Sequence, residues 1–165
     1  EVITRAWTEE SFSFDGKFVS FVDASTGPLP VRRPPVWVGG ASTAAIRRTV
    51  RFGDAWHPIN QRIDWLRAEG LPALRRAAEA AERVTPAFAP RIPLLLTETE
   101  LDEDTRIAGR GTLDQVRRDV DALTELGATH ILFDTYPGAP DQARPIDADQ
   151  RAFDTLAKHI VAAEA

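Results

Sequence analysis

Pro34-Pro35-Val36-Trp37-Val38-Gly39-Gly40-Ala41-Ser42 is the stretch whose reading decides the fold. Val36, Trp37 and Val38 are strand formers, and the two prolines ahead of them cannot donate to a ladder, so they mark where a strand begins. The glycine pair ends it. Without a Cβ the backbone can turn through positive φ and bring its N–H groups close to a ligand. Ser42 is placed to cap the following helix, whose apolar stripe includes Ala45, Ile46 and Val50 and whose C-terminal stop is Gly53. A helix start of this kind carries free N–H groups and the positive end of the helix dipole, and it favours a phosphate or a carboxylate. The same letters also fit a plain strand–turn–helix corner, so the flanks have to decide.

On the N-terminal side, residues 11 to 21 read Ser-Phe-Ser-Phe-Asp-Gly-Lys-Phe-Val-Ser-Phe, a period-2 pattern interrupted by Asp15-Gly16. This predicts a hairpin with those two residues as its turn. Phe14 then pairs with Lys17 and Phe12 with Val19, so that Phe12, Phe14, Val19 and Phe21 share one face. Ahead of it, residues 1 to 7 read as the tail of a helix already under way, and the chain is expected to begin inside something longer. Behind it, residues 23 to 35 hold Gly27, Pro28, Pro30, Pro34 and Pro35 and predict an extended loop.

On the C-terminal side, residues 54 to 58 predict a brief buried strand. A helix follows from about 62 to 83, kinked or split by Gly70 and Pro72. After a proline-punctuated loop, residues 92 to 97 form a third strand with Pro93 at its beginning or edge. Residues 98 to 110 are acidic and polar and predict a surface loop. Thr112-x-x-Gln115 is a capping box that opens a helix with Leu113, Val116, Val120 and Leu123 on one face, stopped by Gly127. Residues 130 to 134 read as a fourth strand, apolar enough to be buried on both sides. The loop from Tyr136 to Pro140 leads to a last helix with Phe153, Leu156, Ile160 and Val161 inward. After the hairpin, strands and helices alternate four times. That order means a parallel sheet with helical crossovers.

The 165 residues suffice for one core and predict one domain, and 43% hydrophobic with 27% charged is ordinary for a soluble globular chain. The net charge of −5, with 20 Lys and Arg dispersed among 25 acids, argues against nucleic acid and membrane as partners. No cysteine is present, which excludes disulfides and thiolate metal sites and fits a cytoplasmic location. His57, His130 and His159 lack paired metal-ligand spacing, so no metal site is expected. No G-x-S-x-G or Cys-His arrangement supports nucleophilic hydrolysis.

PPVWVGGASTAAIRRTVRFGDAWHP resembles the central signature of the luciferase-like flavin and deazaflavin oxidoreductases. AWTEESFSFDGKFVSF resembles the helix end and hairpin insertion that precede that signature, and GTLDQVRRDVDALTELGATHILFD resembles the family's last helix and strand. Asp134-Thr135-Tyr136-Pro137-Gly138 is similar to a subgroup assigned to the deazaflavin coenzyme F420. The resemblance implies an α/β fold that is the C-terminal half of a (β/α)8 TIM barrel, with parallel strands, helical crossovers and a β-hairpin insertion. It further implies an oxidoreductase or monooxygenase using F420, with FMN as the alternative cofactor, and hydride transfer to or from a small-molecule organic substrate. In the family the cofactor phosphate is held at the positions that are Gly39, Gly40, Ala41 and Ser42 here. A partial barrel is expected to form a homo-oligomer or to associate with the missing N-terminal half, because its open edges and apolar inner face invite pairing. Val36, Val38, Ile131 and Phe133 are the side chains expected to face the vacant lumen.

Barrel active sites form at the C-terminal ends of the strands. That rule nominates Gly39, Gly40, Ala41, Ser42, Trp56 and His57 as cofactor-binding residues, with Thr97, Glu98 and Asp134 to Tyr136 at the other strand ends. Trp56 can equally be packing beneath the cofactor mouth, and His57 before a proline can be a satisfied loop residue. Glu98 and Asp134 suit loop-fixing carboxylates as well as acid–base groups. Arg47, Arg48 and Arg51 read as a solvated helix face, and His130 as structural. The catalytic residues are unknown from this sequence. Three readings remain open beside the oxidoreductase. One is a doubly wound sheet; another is a phosphate-binding barrel isomerase or aldolase; the third is a non-catalytic barrel module that binds a phosphate ligand or a partner.

Overall fold

The structure is a computed structural model that describes residues 1–139, 141 and 144–160. The chain divides into two units, Glu1–Pro35 and Val36–Ala165.

The first unit holds a short helix α1 (Val2–Ala6) and an antiparallel hairpin of β1 (Ser11–Asp15) and β2 (Ser20–Ser25). The turn is not the two-residue Asp15-Gly16 turn expected. Asp15 pairs with Ser20 and Phe14 with Phe21, which leaves residues 16 to 19 as a four-residue loop. The Gly16 N–H donates to the Val19 carbonyl at 3.0 Å and the Ser20 hydroxyl donates to the Asp15 carboxylate at 2.8 Å, so polar groups close the wider loop. Val19 is consequently exposed, whereas Phe12, Phe14 and Phe21 do share a face, with ring centroids 5.2 and 6.0 Å apart. A register shift between Phe12 and Phe14 marks a bulge on β2, where Asp23 takes φ 50° and its N–H donates to the Ser13 hydroxyl.

The second unit is built from parallel strands. Strands β3 (Trp37–Gly39), β4 (Ala55–His57) and β5 (Ala87–Phe88) pair in that order, and β6 (Arg91–Pro93) pairs with β9 (Leu132–Asp134). Single bridges join Ile59 to Arg91 and Phe88 to Ala128, so the segment 87–93 lies between the β4 segment and the β9 segment. The strand order is therefore sequential, with no reversal. A doubly wound sheet requires a reversal, and these strands do not have one.

The third strand begins earlier than residue 92. Pro90 and Pro93 cannot donate, yet their segment stays in the ladder: the Leu132 N–H donates to the Pro90 carbonyl at 2.9 Å and Pro93 sits opposite Asp134. A short pair of β7 (Leu95–Leu96) and β8 (Arg110–Gly111) extends it beyond the loop that the sequence predicts.

Helix α2 (Thr43–Phe52) starts where expected. The Ser42 hydroxyl accepts from the Ala45 N–H at 3.2 Å, and Ala45, Ile46 and Val50 are buried. The long helix of residues 62–83 is split: α3 (Ile63–Trp65) passes through a π turn over residues 66–70 into α4 (Leu71–Ala80). The wider turn puts Pro72 in the first turn of α4, where its missing N–H costs no hydrogen bond. Helix α5 (Leu113–Glu125) carries the predicted capping box of Thr112 and Gln115, with both hydrogen bonds formed. In α6 (Ile146–His159), Ala152 and Leu156 are buried, as is Ile160 just beyond it, but Phe153 is 40% exposed and is not a core residue; Val161 lies outside the described residues.

The core lies between the sheet and these helices. Trp56, Phe88, Ile92, Ile131 and Phe133 point towards it, packing with Ile46, Leu66, Leu74 and Leu123 or with Val116 and Leu156, and Val38 faces Gly53 at the C-terminal end of α2. The expected lumen set is thus out of phase by one residue, because side chains alternate across a strand. The opposite face carries Trp37, His57, His130 and Leu132, and the fourth strand is buried on one side only, with Leu132 42% exposed. That face is concave. The Trp37 and His130 rings stand 5.1 Å apart, although they lie on the first and fourth strand segments, which in a flat sheet would be about 14 Å apart.

Candidate functional site

The β3–α2 junction is the best-formed site at a C-terminal strand end. Gly39 is the last residue of β3 and Gly40 turns the chain at φ +99°. A Cβ on Gly40 would stand 3.2 Å from the Ala45 Cβ, so the turn is closed tightly on the first turn of α2. Ala41 is half-buried, and Ser42, Thr43 and Ala44 are exposed. Only the Ala45 N–H of the helix start is taken up by the cap. The geometry of a helix start leaves the N–H groups ahead of it without intrahelical partners, directed outward at the same place.

Trp56 supports this turn from beneath. It is 0% exposed, and its indole N–H donates to the Gly40 carbonyl at 2.8 Å. A fully buried ring cannot touch a cofactor, so of the two roles open to Trp56 the geometry gives it packing and anchoring. His57, on the next residue, points to the concave face. Its Nδ1 is hydrogen-bonded to the Ala89 carbonyl, and a carbonyl only accepts, so Nδ1 carries a proton and Nε2 is the ring nitrogen left without a partner among the described residues. Its ring lies 5.5 Å from that of Trp37.

At the ends of β6 and β9, Asp134 is paired with Arg91 and accepts from the Tyr136 N–H at 3.0 Å. It is a loop-fixing carboxylate. Arg91 was not legible as its partner, since the two are 43 residues apart and no spacing rule connects them. The Thr97 hydroxyl donates to the Thr99 carbonyl at 2.7 Å, and Glu98 is exposed; neither is brought to the β3–α2 junction by any contact. Arg47, Arg48 and Arg51 are exposed, with Arg51 stacked over the Phe52 ring, in keeping with a solvated face.

The acidic loop of residues 98–110 conceals a buried ion pair. Arg106 reaches Asp119 on α5 with two hydrogen bonds of 2.7 and 2.9 Å, and both side chains are almost fully buried. Asp119 also accepts from the Gly109 N–H at 2.8 Å. Arg106 further holds Glu103, and hydrogen bonds from Arg106, Gln115 and Arg118 pull the Glu103 carboxyl down to about 2. This network fixes the loop to the helix.

A sequentially ordered parallel sheet with helices packed on one face, and a glycine turn closing on a capped helix at a strand's C-terminal end, defines an α/β protein of parallel strands and helices. Residues 1–106 match the family of luciferase-like monooxygenases, and the chain belongs to that family. The FMNH2-dependent dimethylsulfone monooxygenases of Pseudomonas fluorescens (strain Pf0-1) and Pseudomonas putida are 30% and 32% identical to it over 63 and 65 residues. Each alignment covers 38% of this chain and 17% or 18% of the relative. Among solved structures, an F420-dependent secondary alcohol dehydrogenase in complex with an F420-acetone adduct is similar at a TM-score of 0.73 and 12% identity, over 96% of this chain and 58% of that one. The coenzyme F420 dependent tetrahydromethanopterin reductase of Methanopyrus kandleri is similar at 0.69 and 11%, over 97% and 60%. The EDTA monooxygenase of Chelativorans sp. BNC1 is similar at 0.53 and 20%, over 91% and 51%. The chain thus spans little more than half the length of these structures. Among the described residues, no helix is long and apolar enough to cross a membrane.

Proposed function

We propose that this chain is the C-terminal half of a luciferase-like (β/α)8 barrel, that it holds the phosphate of a deazaflavin or flavin cofactor at Gly39, Gly40, Ala41 and Ser42, and that the cofactor is F420, with FMN the alternative. The observation that carries the reading is the turn at Gly40: positive φ, a closed approach to Ala45, and a capped helix start whose remaining N–H groups are exposed. Such a cradle suits a phosphate because it offers several fixed donors and a partial positive charge with no side chain to desolvate. When bound, the cofactor supplies the hydride chemistry. This chain's part is to anchor and orient it, with Trp56 fixing the turn and His57 presenting Nε2 on the concave face.

The concave face supports the half-barrel reading. Trp37 and Leu132 stand 38% and 42% exposed there, and the β3 ladder has a partner on one side only among the described residues. Strands completing the barrel, from an N-terminal half or from a second copy, would cover that face and the open edge. The substrate is a small organic molecule, and the setting a cytoplasmic one.

The test is a titration with F420 and with FMN, followed by absorbance and fluorescence, on a protein that contains this chain together with the four N-terminal strands of the family. Saturable binding of one of them, lost in Gly40→Ala, is expected. Binding of neither, with inorganic phosphate or a sugar phosphate bound instead, would turn the reading towards a phosphate-binding isomerase or aldolase.

A further inference from the structure

A second polar feature lies at the C-terminal ends of β6, β7 and β9, apart from the glycine turn. A cavity of about 290 Å³ opens there between Pro93, Leu95, Arg110, Asp134, Tyr136 and Arg144. Its charges are unequal in how they are used. Asp134 is spent on Arg91 and on the Tyr136 N–H. Arg144 lies 2.8 Å from the Asp149 carboxylate and donates to the Leu94 carbonyl. Arg110 has no such partner: among the described residues its guanidinium makes no hydrogen bond or ion pair, and its Nε is buried with its hydrogen-bonding capacity unmet. A half-buried, unpaired guanidinium is costly in a folded chain, because the charge has lost part of its water and gained nothing for it. Its backbone fixes it in place, since Arg110 is held in the β7–β8 ladder opposite Leu95 and its carbonyl accepts from Arg106.

We propose that this cavity binds the carboxylate of a small, otherwise apolar organic molecule, with Arg110 as its ion-pair partner. The proline and leucine walls suit an apolar body. The single uncompensated positive charge suits one anionic group, and a planar guanidinium fork matches a carboxylate in two parallel hydrogen bonds. That the cavity receives the substrate of the oxidoreductase, at the active end of the sheet, rests on the reading above. That it takes a carboxylate does not.

Isothermal titration with benzoate, benzyl alcohol and inorganic phosphate on the barrel that contains this chain tests it. Benzoate is expected to bind at least about tenfold more tightly than benzyl alcohol, the worth of one charge-assisted pair. Arg110→Gln keeps much of the length of the side chain and removes the charge; it should abolish that preference while F420 affinity stays unchanged. Arg110→Lys should restore part of it. Equal affinity for benzoate and benzyl alcohol, an undiminished preference in a folded Arg110→Gln, or tighter binding of phosphate than of benzoate would each overturn the proposal. Gly40→Ala separates the two readings. It should lose F420 and keep benzoate, so failure of the cofactor site leaves the carboxylate site standing.

Discussion

The indole N–H of Trp56 donates to the Gly40 carbonyl at 2.8 Å, joining the buried layer of the sheet to the turn on which the proposed cofactor site depends. Gly40 is at φ +99°, and a Cβ there would stand 3.2 Å from the Ala45 Cβ, so both the backbone angle and the space favour glycine at this turn. The same residue that packs the core therefore sets the geometry of the turn above it.

Replacing Trp56 by Phe keeps an aromatic ring against Phe88 and Trp65 and removes the donor. Losing that bond is expected to cost about 1–3 kcal/mol of stability. If the turn binds F420, its dissociation constant should rise by about threefold to tenfold, with far-UV circular dichroism unchanged. An unaltered F420 affinity in a folded Trp56→Phe protein would separate the anchor from the site.

The alternation rule made the strands and helices of the second unit legible, but only where the chain's own chemistry was unambiguous. The Ser42 cap, the Thr112–Gln115 capping box and the Gly127 stop are local, and each forms as read. The phase of the strands is not local. Ile131 and Phe133 are apolar and would suit either face; tertiary packing against Ile46 and Leu123 decides, and it puts them under the helices while Trp37 and His130 meet on the other face. The hairpin turn failed for a related reason. Asp15-Gly16 is a strong two-residue signal, yet the Ser20–Asp15 hydrogen bond and the pairing of Phe14 with Phe21 close a wider loop. At the candidate site the glycine turn was legible, but the partners of Asp134 and Asp119 were not, because Arg91 and Arg106 are far from them in sequence.

Two glycines at similar backbone angles should respond differently to the same substitution. Gly109 lies at φ +85°, and a Cβ there would fall 2.0 Å from the Pro93 carbonyl oxygen; Gly127 lies at φ +89°, with nothing within 4 Å of a Cβ. Gly127→Ala is expected to cost only the left-handed conformation, about 1–2 kcal/mol. Gly109→Ala must also displace backbone and should cost more than about 3 kcal/mol or leave no soluble protein. Urea unfolding of both variants gives the comparison, and equal losses would contradict it.

Asp119 carries three hydrogen bonds at a site almost closed to water, two from Arg106 and one from the Gly109 N–H. Asp119→Asn keeps the shape and removes the charge, leaving Arg106 buried without its main counter-ion. The expected loss is about 3–5 kcal/mol. Chemical denaturation measures it. A loss below about 1 kcal/mol would mean that Glu103 alone compensates Arg106.

Glu103 links that network to pH. Hydrogen bonds from Arg106 first, then Gln115 and Arg118, hold its carboxyl at about 2 instead of the ordinary 4.5. A carboxyl whose folded value is depressed binds its proton more readily in the unfolded chain, so its contribution to stability is complete above about pH 4.5 and is lost as the pH falls through about 2. The Glu103 side chain is 55% exposed, so solvent screening holds that contribution to about 1 kcal/mol. The stability gap between the native protein and Glu103→Gln, followed by thermal or urea unfolding, should therefore be about 1 kcal/mol near neutral pH and close between about pH 4.5 and 2. A gap that stays constant across that interval would show that the carboxylate charge is not what holds the loop, and that the neutral amide of the variant replaces its hydrogen bonds in full.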